Sequence, residues 1–134
     1  MIKETVEYAL NLKKEYSSNL KKLINDYDIS IIEDDSIEEI SAYTLSMRDK
    51  SLVVVYSNLE GLEKDFVICH EVYHILNHDL VNRCFSKVIG TDRYELEANI
   101  FVLIFLNIGN ISDSNTKISK IINSTYSVIN VSVL

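Results

Sequence analysis

Three residues in the segment His70-Glu71-Val72-Tyr73-His74 have the types and the spacing for metal chemistry, and every histidine of the chain (His70, His74 and His78) falls within the stretch from Phe66 to His78. On an α-helix, residues four apart lie one turn above each other and point nearly the same way, so His70 and His74 can offer two imidazoles to one point. That is the spacing a tetrahedral zinc ion requires of two ligands from one helix. Glu71 is rotated by about 100° from His70, which places it poorly as a third ligand and well as a general base. The pattern thus supplies two ligands and a base. HExxH also arises by accident, and a histidine on an apolar helix is commonly a core residue, so the motif needs a third ligand from elsewhere.

The segment Tyr94-Glu95-Leu96-Glu97-Ala98-Asn99 provides candidates, 21 residues beyond His74. That interval can hold a turn and return a second helix against the first. Glu95 and Asn99, four apart, share a helical face, and Ala98 permits close helix contact; Glu97 points elsewhere. Acids in the first turn of a helix also favour its dipole without any ligand role. With HExxH upstream, one of the two is expected as the third ligand, Glu95 ahead of Glu97.

These residues need elements to hold them. Apolar residues make up 47% of 134 residues, enough for one globular domain with its own core. Positions 2 to 27 read as one amphipathic helix, with Tyr8, Leu12, Tyr16, Leu20, Leu23 and Tyr27 along one stripe. Ile40–Leu45 and Leu52–Tyr56, separated by a polar run, read as a hairpin in a small sheet. Asn58 is a candidate cap for a helix from Leu59 to Asp79 that is apolar on most sides and therefore buried. A connection through Arg83, Cys84 and Phe85 leads to a second helix from Asp92 to Ile108, which Gly109 would stop. Asp113, Ser114 and Asn115 can cap a short helix containing Ile118, Ile121 and Ile122, and Ser124–Leu134 fits a strand or a short helix equally.

Composition narrows the function. A formal charge of −7 and a pI near 4.9 argue against nucleic acid as a direct partner, so Lys13, Lys14, Lys21 and Lys22 are read as a solvated face. No apolar run approaches the roughly 20 residues of a membrane span, and the start MIKETVEYAL is no signal peptide, so a cytoplasmic protein is expected. Cys69 and Cys84 lack CxxC spacing and suggest neither a disulfide framework nor ligands. The acidic run Glu33-Asp34-Asp35-Ser36 lacks the loop spacing of a calcium site and reads as a solvated turn.

HEVYHILNH followed by ELEANIF resembles the ImmA/IrrE family of zinc metallopeptidases, from about Ser41 through Leu106. The resemblance implies an α+β, zincin-like single domain over residues 1–134, with a small antiparallel-containing sheet packed on a central HExxH helix and further helices. It implies Zn²⁺ held by His70, His74 and Glu95, Glu71 as catalytic residue, and Asn99 orienting a ligand histidine. Tyr73, Tyr94 and His78 are candidate oxyanion donors. The family often has glycine where this chain has Tyr73, a small residue at Val102, and a Met-Pro pair that is missing here; these departures bear on the substrate groove. The implied activity is a phage or mobile-element endopeptidase that cuts a helix-turn-helix repressor, with an extended peptide adding to the sheet at Leu52–Tyr56. The competing expectation is a zinc-stabilised binding protein that sequesters a regulator without cutting it, and the intact Glu71 favours the enzyme.

Overall fold

The structure, a computed structural model, describes residues 2–47, 49–77, 91–109 and 116–133. It is an α+β fold with two compact units, one formed by Leu20–Thr91 and the other by Met1–Asn19 with Asp92–Leu134.

In the first unit, helix α2 (Leu20–Asp26) leads into strand β1 (Ile29–Asp34), followed by β2 (Ala42–Met47), β3 (Lys50–Tyr56) and helix α3 (Gly61–Asn77). Strand β3 lies in the middle of the sheet, antiparallel to β2 and parallel to β1. Its Val53, Val54 and Val55 are all buried, the run of branched apolar residues typical of an internal strand. Side chains alternate across a strand, and the register places Ala42, Thr44, Val53 and Val55 on one face. Helix α3 packs on β2 and β3, and α2 packs on β1.

The expected hairpin is therefore present, but the edge expected at Leu52–Tyr56 is not: both sides of β3 are paired, and the outer strands are β1 and β2. A hairpin pattern fixes two neighbours and cannot reveal a third strand joining from elsewhere. Of the expected acidic turn, Glu33 and Asp34 instead end strand β1, paired with Val55 and Tyr56, and the turn itself is at Asp35 and Ser36. Ser36 donates from its backbone N–H (2.9 Å) and its hydroxyl (2.7 Å) to Asp34 Oδ1, and these bonds hold the Asp34 carboxyl below the usual range. Lys64 of α3 pairs with Glu33 at 3.1 Å.

The second unit contains α1 (Ile2–Tyr16), α4 (Thr91–Phe105) and α5 (Lys117–Val133). Tyr8 meets Phe101 at 6.0 Å between ring centroids, and Phe101 stacks on Phe105 at 5.4 Å. The helix expected over 2–27 is broken. Ser17 and Ser18 both adopt positive φ (52° and 59°), and Ser18 N–H bonds back to the Lys13 carbonyl, closing the end of α1. Asn107, not Gly109, ends α4: at φ 57° it forms a Schellman turn, with Ile108 N–H on Leu103 O and Asn107 N–H on Ile104 O. Its side chain accepts from Lys13 Nζ at 3.0 Å.

At α5 the ambiguous tail resolves as helix through Val133. Thr116 and Ser119 cap its start reciprocally: Ser119 N–H donates to Thr116 Oγ1 and Thr116 N–H to Ser119 Oγ. The expected caps Asp113, Ser114 and Asn115 lie outside the described residues, as do Arg83, Cys84 and Phe85. Among the described residues no helix is long and apolar enough to cross a membrane.

Candidate metal site

Helix α3 carries the motif because its sequence is apolar on nearly every side. Phe66, Ile68, Cys69, Val72 and Tyr73 are all buried, and the helix packs on β2 and β3. Its entry requires a positive φ of 57°, which Gly61 supplies. Asn58 does not cap it; the Asn58 amide donates instead to the Tyr56 hydroxyl at 3.0 Å. At the other end the Asn77 amide donates to the Tyr73 carbonyl at 3.1 Å, satisfying one carbonyl of the last turn.

One turn apart on this helix, His70 and His74 bring their Nε2 atoms to 3.1 Å, the rings standing edge to face at 77° with centroids 4.8 Å apart. His74 is 3% exposed and His70 half-buried. In neutral imidazoles, facing nitrogens need one N–H and one lone pair; a cation is bound by two lone pairs. Two nitrogens each about 2.0–2.1 Å from a tetrahedral ion would lie roughly 3.3 Å apart, so the pair is already close to a ligating separation.

Glu95, in the first turns of α4, completes a group of possible metal ligands. His70, His74 and Glu95 each offer one ligand atom, and these atoms lie within 4.8 Å of one another. Two imidazoles and a carboxylate are donors that suit zinc and leave a fourth tetrahedral position for another oxygen.

The structure separates the two acids of the ELEAN segment. Glu97, with its side chain 12% exposed, accepts a hydrogen bond from Arg93 Nε at 3.5 Å and is not part of the ligand group. Arg93 lies four residues before Glu97, the helical spacing at which such a pair meets. Glu71 follows His70 on α3 and is half-buried, while Asn99 lies one turn beyond Glu95, also half-buried. Of the oxyanion candidates, Tyr73 is buried in the core, Tyr94 is exposed, and His78 lies outside the described residues.

Cys69, adjoining His70, is fully buried, and its burial, with the charge of Asp65 adding, pushes the thiol well above its ordinary range. Cys69 is not part of the ligand group. Cys69 is accordingly a packing residue, as expected.

No family model and no solved structure matches the chain. Among curated proteins it is 31% identical over 109 residues to the "Uncharacterized immunity region protein 2" of Bacillus phage phi105, an alignment covering 79% of this chain and 68% of that relative. At that identity and coverage, the chain belongs to the family of the phi105 immunity region protein 2.

Proposed function

We propose that this protein is a zinc-dependent endopeptidase of a phage or mobile-element immunity region, cutting a helix-turn-helix repressor and so releasing the genes it represses. The observation that carries the reading is the ligand group: the paired Nε2 atoms of His70 and His74 with the Glu95 carboxylate, on a helix that also bears Glu71. The relative's name supports an immunity-region role.

On this reading His70, His74 and Glu95 hold the metal, and Asn99 orients a ligand histidine. Zinc, when bound, supplies a Lewis acid that polarises the peptide carbonyl and makes water acidic enough to attack at neutral pH. Glu71 takes the proton of the attacking water and returns it to the leaving amine. Placed beside the histidines, it acts as base without competing for the metal. Among the described oxyanion candidates Tyr94 is exposed and Tyr73 buried, so Tyr94 is the one open to a substrate. An extended peptide joins the sheet by main-chain hydrogen bonds at an outer strand, β1 or β2, since β3 has no free side.

The test is incubation of the zinc-loaded protein with a helix-turn-helix repressor from the same phage or mobile element, followed by intact-mass spectrometry, with Glu71→Gln in parallel. Two fragments from the wild type and none from Glu71→Gln, with binding retained in both, support the peptidase. Tight binding by both proteins with the repressor left whole identifies a sequestering protein instead.

A further inference from the structure

We infer that Phe66 is a positioning residue for the metal site: its ring presets that of His70, so that the two histidine nitrogens face each other before any cation arrives. The inference rests on the zinc reading above.

Phe66, His70 and His74 form one column on α3, each a turn above the last. The two ends of the column are fixed by burial, Phe66 at 2% and His74 at 3% exposure, whereas His70 between them is only half-buried. A partly exposed imidazole has two soft torsions, and its ring rotation about χ2 is broad unless a neighbour restricts it. The Phe66 ring lies nearly parallel to that of His70, at 24° between planes and 6.4 Å between centroids, an offset stack. On its other side His70 meets His74 edge to face at 77°. A flat wall below and an edge above favour the observed orientation of the His70 ring, which carries its Nε2 to 3.1 Å from His74 Nε2.

A flexible aliphatic side chain at position 66 fills similar space but offers no plane. The His70 ring then loses one of its restraints and has more rotations open to it, and part of the ordering falls to the metal. That cost appears as lost affinity, because binding is weakened by the fraction of time the competent geometry is absent. Residues that orient a ligand histidine commonly change metal affinity by about 10–100-fold when removed, and a ring stack without a hydrogen bond belongs at the lower end.

The test compares full-length wild type, Phe66→Leu, Phe66→Tyr and Val72→Ala. Zinc affinity is measured by chelator competition, the site's symmetry by the visible spectrum of the cobalt(II)-substituted protein, and metal-free stability by urea unfolding. Val72 is fully buried on the same helix, so Val72→Ala reports what a core lesion alone does. The expected result is an affinity about 10-fold lower and an altered cobalt spectrum in Phe66→Leu, with affinity restored by the flat ring of Phe66→Tyr and unchanged in Val72→Ala. Equal affinity and spectrum in wild type and Phe66→Leu, or an equal loss in Val72→Ala, overturns the positioning role while leaving the metal site standing. A wild type that binds neither zinc nor cobalt overturns the site and this inference together.

Discussion

Replacing His74 with alanine should remove zinc binding by a calculable amount. Structural sites with four protein ligands bind zinc with about 10–16 kcal/mol near neutral pH, so three ligands on that scale give roughly 8–12 kcal/mol, a micromolar to nanomolar site. The Nε2 atoms of His70 and His74, 3.1 Å apart, need to separate by only a few tenths of an ångström to ligate, so little of this is lost to rearrangement. Removing one ligand of three should therefore cost roughly 3–4 kcal/mol, two to three orders of magnitude in affinity. His74 is also a buried side chain, so His74→Ala should lower metal-free stability by roughly 1–3 kcal/mol through lost packing. The two effects separate if affinity is measured by chelator competition on protein shown by circular dichroism to be folded. They separate further with His74→Gln, which keeps most of the volume. Glu95→Gln should weaken binding to a similar degree, while Glu97→Gln, whose carboxylate is held by Arg93, should not. In the wild type, zinc at a hundred times its dissociation constant should add about 2.7 kcal/mol of stability, an increment that His74→Ala forfeits at the same zinc concentration. Affinity in His74→Ala within threefold of wild type, at unchanged stoichiometry, would refute the reasoning.

Two further predictions concern the parts around the site. Replacing both Ser17 and Ser18 by glycine should stabilise the protein, because left-handed backbone costs about 1–2 kcal/mol at a residue with a Cβ and glycine returns about 0.5–1 kcal/mol of that through unfolded-chain entropy. The net gain, roughly 1–2 kcal/mol in urea unfolding, would be contradicted by any loss of stability. In a Cys84→Ser background, Cys69 should resist alkylation under native conditions and react fully once unfolded, since burial opposes its thiolate; prompt native labelling would show that the helix opens there.

The legibility of the chain follows the range of the forces involved. Helices α3 and α4 were readable within a few residues because a buried helix announces itself through its own sequence, and the ligand residues lie on those helices. The break at Ser17–Ser18 was not, because neither residue is the glycine or proline that ordinarily marks a turn. For the same reason Gly109 is the more conspicuous stop signal than Asn107, although asparagine is among the few other residues that adopt left-handed backbone. Strand β1 joins β3 in parallel from a distant part of the chain, a pairing no local pattern encodes, and it is this pairing that makes β3 internal. The end of α5 looked ambiguous because serine, threonine and branched residues disfavour helix. Their hydroxyls are absorbed there: Thr125 Oγ1 and Ser124 Oγ both donate to the Ile121 carbonyl, and Ser127 Oγ to that of Asn123.

Tyr73 joins the fold to the site. A residue inside HExxH that faced the substrate groove would be expected to carry specificity, and the family the sequence resembles often has glycine there. In this chain Tyr73 is 4% exposed, with its ring centroid 6.5 Å from that of His74, so the larger side chain fills core volume. It also makes the helix harder to shift, since Phe66, Cys69, Val72 and Tyr73 together lock α3. The separation of His70 and His74 is then set by helix pitch and core packing, which hold a geometry more tightly than loops do. Core substitutions along α3 remote from the histidine column should accordingly cost stability well before they cost metal affinity, whereas substitutions within the column should do the reverse. On the peptidase reading, an extended substrate would be met at the outer strands of the sheet, where main-chain groups are left to offer.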